Sequence, residues 1–148
     1  MAGTKGTVTV NDEMKKKLVS EALLARKNSY SPYSGFAVGA ALLCASGKIY
    51  RGVNVENVSY GLTICAERSA FSAAVTKGER AFVAIAVVGA PAGKPATESC
   101  MPCGSCRQVM AEFANPKDFL VLLGTENGEY TERKLTELLP YAFGDELK

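Results

Sequence analysis

The chain of 148 residues contains no histidine. That absence excludes nucleophilic triads built on a histidine base and every zinc site that needs imidazole. Metal chemistry is left to thiolates and carboxylates. An excess of either charge is also missing: 17 Lys and Arg against 15 Asp and Glu leave a formal charge of +2. That is too little to mark a nucleic-acid or membrane partner. The longest basic run, Lys15-Lys16-Lys17, falls on a helical pattern and reads as a solvated face. Long apolar runs are absent too. The stretch from Ala81 through Ala86 to Val88 is far shorter than the roughly 20 residues that span a bilayer. Met1-Ala2-Gly3-Thr4-Lys5 lacks the apolar core of a signal peptide, so a cytoplasmic protein is expected. No repeat, low-complexity segment or linker interrupts the chain, and one domain over residues 1–148 is expected.

What the chain does have is thiols. There are five cysteines, and in a reducing compartment they point to metal binding or catalysis rather than to disulfides. Three stand in a telling pattern, Cys65-Ala66-Glu67 followed later by Pro102-Cys103-Gly104-Ser105-Cys106. Three thiolate ligands, an open fourth position for water and a carboxylate beside that water are what a catalytic zinc requires. Cys44 and Cys100 are then bystanders. Cys-x-x-Cys also marks redox dithiols and structural zinc, and Cys100 could act as a fourth ligand. Cys100-x-x-Cys103-x-x-Cys106 resembles the opening of a ferredoxin cluster motif, but Met110 stands where its fourth cysteine belongs. On these residues alone the catalytic and structural readings both stay open. Glu67 favours the catalytic one.

The periodicities predict a helix over 11–28, capped by Asn11, with Met14, Leu18, Val19, Ala22 and Leu23 on its buried face. A turn-rich loop leads to a buried strand over 36–44 and a returning strand over 49–55. Alternation along that second strand places Asn54 and Glu56 on one face. A helix is expected over 65–77, stopped by Gly78, and a central strand over 82–88. Loop 89–99 precedes a helix over 103–113, with Pro102 suiting its first turn. Strands over 119–123 and 130–134, then a brief helix between Thr136 and Pro140, complete the chain. Crossover helices between apolar strands, with a hairpin at each end, predict an α/β fold: a three-layer α/β/α sandwich around a five-stranded mixed sheet. Both ligand groups then fall at helix N-termini, where partial positive charge lowers thiol pKa values. Arg68, within the first turn of its helix, is a candidate to hydrogen-bond the ligand sulfurs and offset three negative charges.

Several separated motifs carry a resemblance. They are Pro32-Tyr33-Ser34-Gly35-Phe36-Ala37-Val38-Gly39-Ala40-Ala41, Gly52-Val53-Asn54-Val55-Glu56-Asn57, Cys65-Ala66-Glu67-Arg68, Pro102-Cys103-Gly104-Ser105-Cys106-Arg107-Gln108 and Leu138-Leu139-Pro140. Together they make the chain similar to the small, homotetrameric cytidine deaminases that act on free nucleosides. The resemblance spans about Tyr30 to Leu147. It implies one Zn²⁺ per subunit on Cys65, Cys103 and Cys106, with Glu67 as the proton shuttle. It implies that Phe36 packs on the pyrimidine, that the Ala66 N–H holds the ring carbonyl, and that Asn54 and Glu56 bind the ribose hydroxyls. Phe143 would reach into a neighbouring subunit's pocket, with Tyr60 near that boundary. The implied reaction is hydrolysis of cytidine and 2′-deoxycytidine to the uridines in pyrimidine salvage. Met101 departs from the small hydroxyl residue usual before Pro-Cys. A carboxylate at the sugar end, with no basic cluster near 54–60, favours nucleosides over nucleotides. Two rivals are kept: an aminohydrolase for a nucleoside-like antibiotic such as blasticidin S, and a non-enzymatic zinc-stabilised module.

Overall fold

The computed structural model describes residues 8–147. In chain order the elements are α1 (Asp12–Arg26), β1 (Phe36–Cys44), β2 (Ile49–Val53), α2 (Ala66–Thr76), β3 (Phe82–Pro91), α3 (Gly104–Phe113), β4 (Leu120–Gly124), β5 (Tyr130–Lys134) and α4 (Leu135–Leu138). The strands form one five-stranded sheet in the order β2-β1-β3-β4-β5. Only β3 and β4 are parallel, and the crossover between them contains α3. The remaining neighbours are antiparallel, including the hairpins β1–β2 and β4–β5. This is the expected mixed sheet.

Alternation along the central strands sorts the side chains into two cores. On one face Ala41, Leu43, Ala84, Ala86, Val88 and Leu122 meet Leu18, Val19 and Ala22 of α1. On the other, Ala40, Leu42, Ile85, Val87, Val121 and Leu123 meet Ala66, Ala70, Phe71 and Ala74 of α2, and Cys106, Met110 and Ala111 of α3. Helices thus cover both faces, as the near-continuous apolar pattern of β3 requires. The Phe71 ring lies 5.1 Å from Phe82 and 5.6 Å from Phe113, stacked on the latter. Each such pair adds about 0.5–1.5 kcal/mol beyond the area it buries. This cluster locks α2 against α3, the two helices that bear the thiols.

Two glycines let the helices sit close. A Cβ on Gly39 would lie 2.1 Å from the Ala22 carbonyl oxygen of α1, and one on Gly52 would lie 2.3 Å from that of Ala66 in α2. Any side chain at either position would push a helix off the sheet.

The boundaries differ from expectation in instructive ways. Asn11 caps α1 through a bond from the Met14 N–H (2.9 Å), but the helix ends at Arg26 rather than 28. Strand β3 continues past Val88 to Pro91, because Phe36, Ala37 and Val38 pair with Pro91, Ala90 and Gly89. Strand β2 stops at Val53, not Val55. At that point the Asn54 side chain takes over the pairing to β1, accepting from the Val38 N–H (2.9 Å) and donating to the Phe36 carbonyl (2.8 Å). Val55 is thereby freed to bridge Tyr30 on one side and Ile64 on the other. Among the described residues, no helix is long and apolar enough to cross a membrane.

Candidate metal centre

Cys65 is the N-cap residue of α2 and Cys103 that of α3, with Cys106 in the first turn of α3. The two helices start beside each other, so three sulfurs from segments 38 residues apart converge. Cys65 Sγ lies 3.8 Å from Cys103 Sγ, which lies 3.5 Å from Cys106 Sγ, and all three are within 4.8 Å of one another. These separations are far too long for disulfide bonds, and all five cysteines are free. Tetrahedral zinc with bonds of about 2.3 Å to sulfur would hold the sulfurs about 3.8 Å apart. The trio fits that ion. Cys100 is not a member of the set.

Protonation fits as well. Cys65 is held down to about 6, first by its hydrogen bond with Cys106, then by one with Cys103 and by the charge of Arg68, against the opposing effect of burial. Cys106 is raised by the same shared proton, by burial, and by the charges of Glu67 and Cys65. A thiolate sharing protons with its neighbours is a ligand set from which a dication can displace those protons. Arg68 acts here through charge; among the described residues it forms no hydrogen bond to sulfur.

Glu67 is the one deeply buried carboxylate of the site, 4% exposed. Burial pushes its carboxyl up to about 7, the charge of Cys65 adds to the rise, and a hydrogen bond with Cys106 opposes it. A carboxyl with that value exchanges protons in either direction near neutrality. Ala66, the first residue of α2, presents an N–H that the helix itself cannot satisfy.

The remaining predicted residues form a second group beside this one. Phe36 starts β1 and stays 38% exposed, with its ring edge and the Cys100 thiol both lying over Gly89. The charges of Glu67 and Cys65 reach Cys100 and, after burial, help to raise it to about 11. Asn54 and Glu56 both reach the 29–36 segment. Asn54 accepts from the Ser29 hydroxyl, while Glu56 accepts from the N–H groups of Tyr33 (2.9 Å) and Ser34 (3.1 Å) and from the Ser34 hydroxyl. The Ser34 contacts, the hydroxyl first, hold Glu56 below the ordinary carboxylate value. Asn54 is buried and spends most of its capacity on β1, leaving one amide proton; Glu56 is the more available of the two. A cleft of about 330 Å³ runs between Glu56, Asn57, Ser34, Tyr33, Tyr60 and Thr63. Tyr60 meets Tyr33 edge-on at 6.0 Å. Phe143 stands apart from both groups, its side chain exposed and its carbonyl accepting from Gln108 (3.1 Å). A larger cavity of about 600 Å³ along Ala96–Ser99 and Thr125–Thr131 contains none of these residues.

One supporting residue was given no role in the sequence reading. Arg107 donates to the Pro102 carbonyl (2.8 Å) and to that of Leu138 (2.7 Å), fixing the turn that delivers Cys103. Its place directly after Cys106 was the available signal.

Comparison with known proteins gives a consistent result. Residues 12–122 match a sequence model described as the cytidine and deoxycytidylate deaminase zinc-binding region. A cytidine deaminase of Halalkalibacterium halodurans is 51% identical over 129 residues, covering 87% of this chain and 93% of the relative. A probable cytidine deaminase of Dictyostelium discoideum is 41% identical over 137 residues, covering 93% and 88%. The crystal structure of cytidine deaminase from Burkholderia pseudomallei superimposes with a TM-score of 0.79 at 43% identity, covering 90% of this chain and all (100%) of that one.

Proposed function

The chain belongs to the cytidine and deoxycytidylate deaminase family, and on that premise we propose that it converts cytidine and 2′-deoxycytidine to the corresponding uridines, releasing ammonia. The observation that carries this reading is the sulfur trio at zinc spacing with a buried carboxyl hydrogen-bonded to one of its members. Cys65, Cys103 and Cys106 would hold the ion. When bound, zinc supplies a Lewis acid that activates water at neutral pH.

The chain's own residues do the rest. Glu67 accepts a proton from the water attacking C4 and delivers it to N3. It then takes the remaining proton from the new C4 hydroxyl and passes it to the amine, which leaves as ammonia as the C4 carbonyl forms. Burial raises the Glu67 carboxyl to about 7, so that it cycles between both forms near neutrality. The Ala66 N–H holds the ring carbonyl, and Phe36 packs on the base. Glu56, already aligned by Tyr33 and Ser34, takes the ribose hydroxyls with the remaining amide proton of Asn54. Arg68 offsets the negative charge of three thiolates through its field at Cys65.

Residues 1–148 act as one domain in this reading, and the enzyme works in the cytoplasm in pyrimidine salvage. It assembles as a homotetramer whose pockets are completed by Phe143 of a neighbouring subunit, with Tyr60 near that boundary. Support for assembly comes from exposed apolar side chains crowded into two segments: Val58, Tyr60, Leu62 and Ile64, and Tyr141, Phe143 and Leu147. The nucleoside-like antibiotic reading is disfavoured by Glu56 prepared for a diol, and a substrate panel separates the two. Glu67→Gln tests the chemistry. It should lower turnover by at least about 10²-fold while leaving zinc in place; appreciable residual activity would contradict the assignment.

A further inference from the structure

Arg26 closes α1, on the sheet face opposite the metal centre, yet its guanidinium is spent on the substrate end of the sheet. Nε donates to the Ala37 carbonyl (2.9 Å). Nη2 donates to the carbonyls of Ala90 (3.1 Å), Pro91 (2.8 Å) and Lys94 (2.8 Å). No carboxylate of the described residues lies within salt-bridge distance of it. A half-buried cation held only by carbonyl dipoles is an uncommon use of an arginine that could have been solvated.

The four carbonyls come from three segments: the start of β1, the end of β3, and the turn that follows β3. Ala37 and Ala90 are register partners, as are Phe36 and Pro91. Arg26 therefore grips the peptide beside Phe36 and the root of the loop that leads to Cys100, Met101 and Pro102. The Ala92 N–H adds a bond to the Gly35 carbonyl (2.7 Å) across the same junction. Beyond it, the loop brings the Cys100 thiol back onto Gly89, where the edge of the Phe36 ring also lies. The metal ligands are held differently, by the helix starts, the Phe71 cluster and Arg107.

We propose that Arg26 is a positioning residue for substrate: its four carbonyl bonds set Phe36 and the 91–100 loop as the two sides of the base pocket, independently of the metal centre. A planar fork with fixed N–H directions can serve several carbonyls at once, whereas an ammonium cannot reproduce that spread. The inference rests on the reading in which Phe36 packs on the pyrimidine.

The test is steady-state cytidine deamination by the zinc-loaded full chain carrying Arg26→Gln or Arg26→Lys, with Phe36→Ala alongside. Arg26→Gln should raise KM about tenfold, with kcat within about threefold and zinc content unchanged. Arg26→Lys should fall between it and the parent chain. A purely structural role would lower the melting temperature and leave KM of the folded enzyme where it was; that result overturns the proposal. If Arg26→Gln fails to fold, Arg26→Lys decides, and an unchanged KM there overturns it equally. Phe36→Ala separates the two levels. A raised KM for Phe36→Ala with unchanged Arg26 variants rejects the role of Arg26 alone, whereas an unchanged KM for Phe36→Ala rejects the base-pocket reading and the proposal with it.

Discussion

Replacing Gly52 by alanine should damage the metal centre without touching any ligand. The new Cβ would lie 2.3 Å from the Ala66 carbonyl oxygen and 2.4 Å from the Ala70 nitrogen, about 1.1 Å inside the 3.4 Å at which ordinary contact begins. Both neighbours are backbone of α2, so no flexible side chain can yield. Retreat of β2 instead is opposed by its ladder with β1 and by the Asn54 bonds at its end. The helix start must therefore back away by roughly 1 Å, carrying Cys65 and Glu67 with it while Cys103 and Cys106 stay on α3. Metal sites tolerate about 0.2 Å in ligand distance, and a misplacement of about 1 Å costs about 10²-fold in rate. Overpacking of this kind destabilises by about 1–3 kcal/mol. Gly52→Ala should thus show substoichiometric zinc, about a hundredfold loss in kcat/KM and a melting temperature a few degrees lower. Gly39→Ala is the control: its Cβ would strike Ala22 and Arg26 of α1 instead. It should cost similar stability and keep its zinc. A folded Gly52→Ala protein with full zinc and parental turnover would refute the claim that this close approach sets the sulfur spacing.

Two further outcomes follow from the same geometry. Cys100→Ser should retain zinc, because Cys100 lies outside the sulfur trio; loss of metal would instead restore the four-thiolate structural reading. Glu56 has a folded pKa below its ordinary 4.5, so its contribution is complete above that value and disappears as the pH falls through the lowered one. The difference in melting temperature between the parent chain and Glu56→Gln should therefore be present at neutral pH and vanish in strong acid. A difference that persists unchanged into acid would show that the Ser34 and Tyr33 bonds are not what stabilises this carboxylate.

Legibility varied with the range of the interaction. The three sulfurs were legible as candidates, since Cys-x-x-Cys on a helix start and Cys65 at another need only two adjacent helices to converge. Spacing left Cys100 open as a fourth ligand until the structure placed it outside the trio. The strand over 36–44 was likewise legible as buried, though which face takes Ala40 and Leu42 and which takes Ala41 and Leu43 is seen only in the structure. Side chains that bond to distant backbone were not legible. Asn54 ends β2 early by acting as a substitute strand residue, and nothing local distinguishes such an asparagine from an exposed one. Arg26 and Arg107 likewise look like surface cations on amphipathic helices, yet each holds carbonyls 11 to 68 residues away or on either side of the thiols. The extra length of β3 has the same origin, because Pro91 becomes strand only through its pairing with Phe36. The family resemblance supplied roles for Phe143 and Tyr60 that one chain cannot display, as both are exposed to whatever lies beyond it.

The central claim is that Cys65, Cys103 and Cys106 hold a zinc ion on which deamination depends. It is tested most directly by measuring zinc content and the fall in ultraviolet absorbance of cytidine on the same sample, before and after chelation and after zinc is returned. One zinc per chain is expected, with loss of the absorbance change in step with loss of zinc and recovery on reconstitution. Undiminished deamination by chain stripped of metal would contradict it.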